Sequence, residues 1–224
     1  MGLRPATISD GDVSQAAACA AGLPPGRDGP GTCDDLVENL FLMVLGTRMH
    51  VTTMNNALAF YRQNLRAGVH DLRTLTTALS RFEDDRDGNT RLARYLWGNN
   101  YWTRAEMLRR IVRFFMAAGI TGQGALSGWV RSADYSRDVE GRVKGLGYAT
   151  FQSLAMRCGV DTVKPDVYTH RFTERCLGRS LTDSDVVELV TRTAKRLGIP
   201  VRSLDAAIWQ RENARREPAR AVPP

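Results

Sequence analysis

Residues 143–172 read VKGLGYATFQSLAMRCGVDTVKPDVYTHRF. A Gly145-Leu146-Gly147 turn lies between two stretches of helical composition, and beyond the second stretch Pro165 leads into Asp166. Short glycine turns present backbone N–H groups to anions, because no side chain blocks the approach. The helix that follows such a turn adds the partial positive charge of its N-terminus. The turn is therefore suited to a phosphate, with a carboxylate further along the chain. That combination fits chemistry on a nucleotide.

The flanking sequence is helical in period. Thr32-x-x-Asp35 resembles a capping box ahead of Leu36, Leu40, Phe41, Val44 and Leu45, which fall on one side of a helix. A second helix is predicted near 52–65, and Leu72, Leu75 and Leu79 mark a third. Thr103-x-x-Glu106 predicts another helix, with Leu108, Ile111, Val112, Phe115 and Met116 inward and Gly119 closing it. Helices are expected on both sides of the Gly145–Gly147 turn, and a further one over 166–177. Thr182-x-x-Asp185 opens a helix that ends at Gly198 and Pro200, and a last helix covers 203–213. Strand signals are nearly absent, so the fold class expected is all-α.

Gly145-Leu146-Gly147-Tyr148-Ala149-Thr150 followed by Pro165-Asp166 resembles the helix-hairpin-helix DNA glycosylase superfamily, of the endonuclease III and adenine-glycosylase type. The segments 40–57 (LFLMVLGTRMHVTTMNNA), 98–108 (GNNYWTRAEML) and 204–209 (LDAAIW) are similar to other parts of that family. The resemblance implies two helical lobes with a cleft between them. The expected domains are a flexible segment over 1–31 carrying a short helix near 13–21, a lobe over 32–158 ending in the hairpin, a second lobe over 159–213 carrying the catalytic carboxylate, and a disordered tail over 214–224.

The resemblance also implies roles. Asp166 is the expected catalytic residue, stabilising positive charge on the sugar and guiding a water. A plain reading stands beside it, since Pro-Asp ahead of a helical run is a common N-cap. Lys144, Gly145, Leu146, Gly147 and Thr150 are expected to hold the DNA backbone, and nearby carbonyls to hold a monovalent cation. Arg48, in the loop GTRMH, is the candidate to fill the gap left by a flipped nucleotide. His50, Tyr101, Trp102 and Gln152 are candidate base-pocket residues, and Met49, Asn55 and Phe151 are plausible liners. Relatives that also cut the strand carry a lysine where this chain has Ala149, so the resemblance implies a glycosylase without lyase activity. Lys164 is the one amine near Asp166 in sequence that qualifies this.

Composition sets outer limits. A 224-residue chain with 43% apolar residues can bury a sizeable core. The net charge of +7 favours a polyanionic partner without requiring one. No apolar run is long enough to span a bilayer. Cys19, Cys33, Cys158 and Cys176 form no close pair, and no cysteine follows Cys176, so neither zinc nor an iron–sulfur cluster is expected. The resemblance, within these limits, implies a monofunctional DNA glycosylase acting on double-stranded DNA as a cytoplasmic, nucleoid-associated monomer with no other cofactor. The alternative is a non-catalytic helix-hairpin-helix DNA-binding protein.

Overall fold

The computed structural model describes residues 8–24, 26, 31–46 and 49–215, and it contains helices and no strands among them. The helices are α1 Asp10–Ala20, α2 Leu36–Leu45, α3 Val51–Asn64, α4 Leu72–Leu79, α5 Arg86–Trp97, α6 Trp102–Ala117, α7 Gln123–Ser132, α8 Tyr148–Arg157, α9 Val167–Leu177, α10 Asp183–Leu197 and α11 Val201–Ala214. A single π turn, Tyr135–Val139, lies between α7 and α8. The all-α expectation holds. Among the described residues no helix is long and apolar enough to cross a membrane. The chain divides into two compact units, one made of 32–158 and the other of 1–31 with 159–224.

The 32–158 unit is built around α2. Its sequence, LVENLFLMVL, is apolar almost all round, and such a helix is stable only when covered on every side. α6, α8, α3 and α4 supply that cover. Phe41 meets Tyr61 edge-on at 4.8 Å and Trp97 at 5.2 Å. The one acid on α2, Glu38, is buried and takes two hydrogen bonds from Arg62, at 2.9 and 2.6 Å. Those contacts hold its carboxyl below the ordinary range against the opposing effect of burial. Arg109 of α6 is likewise buried. It donates to Asn89 and to the carbonyls of Leu79, Phe82 and Glu83, which folds the 79–85 connection around it.

The other unit joins both ends of the chain. α10 repeats its apolar residues at helical spacing, Val186, Leu189, Val190 and Ala194, and all are buried. Thr182 caps it by accepting from the Asp185 amide at 3.2 Å. Its first turn carries Asp183 and Asp185, and its last carries Lys195 and Arg196, matching the helix dipole at both ends. α1 packs on α10 and α9 through Val13, Ala16, Ala17 and Ala20. Arg192 bonds Asp10 and the Ile8 carbonyl, and Arg179 bonds Asp12 at 3.0 Å. The short helix expected near 13–21 is α1, and residues 8–20 pack as a layer of this unit.

Three local expectations need correction. α2 is capped by Asp35, whose carboxylate accepts from Glu38 N at 3.0 Å, while Thr32 lies upstream of the helix. α6 begins at Trp102 behind Tyr101 with no side-chain cap, and Glu106 instead pairs with Arg110 one turn on. The segment before the glycine turn is only the π turn and the turns that follow it, where a full helix was expected. The tail expected to be disordered lies, from 216 on, outside the described residues.

Candidate active site

The glycine turn is positioned from below by aromatics. Tyr135, in the π turn, packs against Tyr148 at 5.0 Å and Phe151 at 5.9 Å, and its hydroxyl donates to the Leu146 carbonyl at 3.3 Å. Trp129 of α7 continues this cluster to Phe151 and to Phe115 of α6. Phe151, a plausible base-pocket liner by sequence, is thus a core residue, 5% exposed. Tyr135 was not singled out by sequence because nothing in YSRDV marks a π turn.

Within the turn the expected backbone-binding residues differ in what they offer. Leu146 is buried, and its N–H donates to Val143 O at 3.0 Å, so neither its amide nor its side chain is available to a ligand. Gly145 and Gly147 are exposed, and their N–H groups donate to no group among the described residues. No side chain caps α8, and in its first turn the amides of Thr150 and Phe151 donate to the Gly147 carbonyl, each at 3.0 Å. Lys144 is exposed beside the turn, and Thr150 is half-buried in the first turn of α8. The carbonyls of Val143, Leu146 and Gly147, candidates to hold a cation, each already accept a hydrogen bond.

The two glycines are required for different reasons. Gly145 has φ +95°, and a Cβ there would lie 3.2 Å from Met107 Sδ. Gly147 has φ −83°, and a Cβ there would meet nothing within 4 Å. Gly145→Ala is therefore expected to destabilise the protein by about 1–2 kcal/mol. Gly147→Ala is expected to change stability by less than about 0.5 kcal/mol. If the turn binds phosphate, Gly147→Ala weakens DNA binding about tenfold, the worth of one hydrogen bond to a charged group. Urea unfolding and duplex titration of both variants measure the two effects separately.

Asp166 is the N-cap of α9. Its Oδ1 accepts from Tyr168 N at 2.9 Å and Thr169 N at 3.5 Å, and Thr169 Oγ1 reciprocates by accepting from Asp166 N at 2.9 Å. Its other oxygen, Oδ2, lies 3.6 Å from Lys164 Nζ, and the side chain stays 24% exposed. Lys164 is thus placed beside the carboxylate. His170, one turn on, pairs with Asp183 at 2.8 Å, a structural contact.

Sequence reasoning passed over Asp205. It lies on α11 within LDAAIW, a segment that the family resemblance covers without giving this aspartate a role, and it accepts from Lys164 N at 3.3 Å. Burial, and next the charge of Asp166, push its carboxyl up to about 7. Only the fold reveals this residue, because α9 and α10 lie between it and Asp166 in the chain.

The candidate base-pocket residues have separate local roles. His50 caps α3, its Nδ1 accepting from Thr52 N at 3.4 Å. Tyr101 precedes α6 and is exposed, and Gln152 is buried within α8. The Trp102 ring has the Arg86 guanidinium over it at 5.6 Å, so one of its faces is already covered. Arg48, the candidate gap-filling residue, lies outside the described residues. Among the described residues no group of three or more His, Cys, Asp or Glu side chains is placed to hold a metal ion.

Residues 47–213, a span that includes both the glycine turn and Asp166, match the family model described as a domain of unknown function (DUF8548). The chain belongs to the DUF8548 family. No curated protein and no solved structure matches this DUF8548 chain.

Proposed function

We propose that this chain is a monofunctional DNA glycosylase that binds duplex DNA, turns one damaged or modified nucleotide out of the stack and hydrolyses its base–sugar bond. The observation that carries the reading is the division between the two oxygens of Asp166. One is committed to the helix cap, and the other lies 3.6 Å from the Lys164 ammonium on a side chain that stays 24% exposed. A capped carboxylate has a fixed direction, and preorganised charge is what stabilises a developing oxocarbenium ion.

In this reading the base leaves with the electron pair of the broken bond and takes up a proton from solvent. Asp166 offsets the positive charge on the sugar and takes a proton from the water that adds to the anomeric carbon. The open amides of Gly145 and Gly147, just ahead of α8, suit a backbone phosphate, with Lys144 and Thr150 beside them. The setting would be base excision repair or removal of unusual bases from invading DNA.

One observation favours the rival reading, a non-catalytic DNA-binding module: both oxygens of Asp166 have partners inside the protein. A panel of duplexes carrying uracil, mismatched thymine, and alkylated, oxidised and hypermodified bases separates the two. Alkali reveals abasic sites. Base release from any member supports the enzyme, whereas salt-sensitive duplex binding with no release supports the module.

Ala149 offers no amine for a Schiff base. Borohydride treatment during turnover is therefore expected to trap no covalent protein–DNA adduct. An adduct that forms and then disappears in Lys164→Ala would make Lys164 the nucleophile and the enzyme bifunctional.

A further inference from the structure

The segment that carries Asp166 is pinned to α11 at two points. Asp161 caps α11, accepting from Val201 N at 3.1 Å and Arg202 N at 3.0 Å. One turn further along α11, Asp205 accepts the Lys164 N–H at 3.3 Å. Between these points Val163 is fully buried. Pro165 has no N–H, and the Asp166 N–H turns back to Lys164 O and Thr169 Oγ1. The Lys164 amide is therefore the last donor before Asp166 that another element can grip, and Asp205 grips it. The side chain of the same lysine reaches Asp166 Oδ2 at 3.6 Å.

We infer that Asp205 is a positioning residue for Asp166, the two carboxyls forming one unit bridged by the backbone and side chain of Lys164. Its consequence for catalysis rests on the glycosylase reading above.

The electrostatics agree with this geometry. Asp205 is driven to hold a proton first by burial and then by the Asp166 charge, while the Lys164 N–H and ammonium pull the other way, leaving it at about 7. Asp166 and Lys164, both from the segment entering α9, are the charged groups acting on it. α10 meets α11 through apolar Val186, Val190 and Ala194 against Leu204 and Ile208. As pH rises through about 7, Asp205 gives up its proton and the pair gains one negative charge. Ionised Asp205 is the stronger acceptor for Lys164 and adds negative potential where a sugar cation would form. Base release should therefore rise as pH passes through about 7. Folding responds with the opposite sign. The folded chain holds this proton between the ordinary carboxylate range and about 7 while the unfolded chain has lost it, so this group's contribution to stability falls as pH rises through that window.

Two measurements on the full chain test the inference. In a carbon-13 NMR titration of side-chain carboxyls, one aspartate is expected to titrate near pH 7. That signal should be absent from Asp205→Asn and shifted to lower pH in Asp166→Asn, which removes the neighbouring charge. A wild-type protein with no carboxyl titrating above the ordinary range overturns the inference, as does a midpoint unmoved in Asp166→Asn. The second measurement is the pH profile of base release. Asp205→Asn keeps an oxygen acceptor for Lys164, so it should fold and bind duplex, but the rise across neutrality should vanish and return in Asp205→Glu. Identical profiles for wild type and Asp205→Asn would sink the inference and leave the glycosylase reading standing. If the wild type releases no base from any duplex, the glycosylase reading fails, and the NMR titration alone decides whether the carboxyl pair exists.

Discussion

Asp166→Asn should lower base release by ~10²–10⁴-fold, the usual contribution of a positioned acid–base group, while leaving the fold and duplex affinity nearly unchanged. The choice of asparagine matters. Asp166 has a structural duty, since its Oδ1 accepts from the amides of Tyr168 and Thr169 at the start of α9. Asparagine and aspartate are about equally good N-caps, so the variant keeps the acceptor and removes the charge. Asp166→Ala removes both and should also lower stability by about 1 kcal/mol, which confuses the two roles. Single-turnover base release, thermal unfolding and duplex titration on the same preparation separate them. Full activity in Asp166→Asn would reduce Asp166 to a helix cap.

The largest stability effect is expected at Asn39, far from this chemistry in sequence. Asn39 is fully buried, and it donates from Nδ2 to Cys33 O at 2.8 Å and to Gln123 Oε1 at 3.1 Å. Its own oxygens receive Arg157, with Nε at 3.0 Å on Oδ1 and Nη2 at 3.4 Å on the backbone carbonyl. Arg157, the last residue of α8, is buried, and burial lowers its pKa to about 10. Asn39→Leu removes the Oδ1 that accepts from Arg157 Nε and leaves this cation only Ser153 Oγ and the backbone carbonyl of residue 39, and losing a hydrogen bond to a buried charged group costs about 1.5–3 kcal/mol. Adding Arg157→Met to Asn39→Leu should recover most of that loss, because an apolar pair of similar volume leaves no stranded charge. Urea unfolding of the two single variants and the double variant measures the coupling directly. If Asn39→Leu unfolds like wild type, the network contributes little.

Where helix period and caps agreed, the fold was legible. α10 is the clearest case, with Thr182 ahead of Val186, Leu189, Val190 and Ala194 and Gly198 behind, in a left-handed C-cap at φ 69°. α9 was legible from Pro165-Asp166 for the same reason. α5 was not. RDGNTRLARYLW opens on polar residues and a glycine, so its apolar face of Leu92, Ala93, Leu96 and Trp97 emerges only late in the helix. Thr32 and Thr103 misled because any Thr-x-x-acid fits the capping box. At the first, Asp35 outcompeted the threonine, and at the second no side chain caps at all. In the candidate site, Asp166 and the glycines could be named because local chemistry marks them. Asp205 and Tyr135 act across tertiary contacts, to Lys164 and to Leu146, which no linear pattern records.

The order in which the helices are made has a consequence of its own. The compact unit containing α1 is completed by residues after 158, whereas 32–158 is contiguous. On the ribosome α1 emerges first, and α9 and α10, which cover Val13, Ala16, Ala17 and Ala20, emerge only after the whole contiguous unit. At usual elongation rates that wait is on the order of ten seconds. The contiguous unit can fold while it is still being synthesised. The first helix must meanwhile keep its apolar stripe from straying until the last third of the chain arrives, so a nascent-chain holdase is the assistance this topology would use.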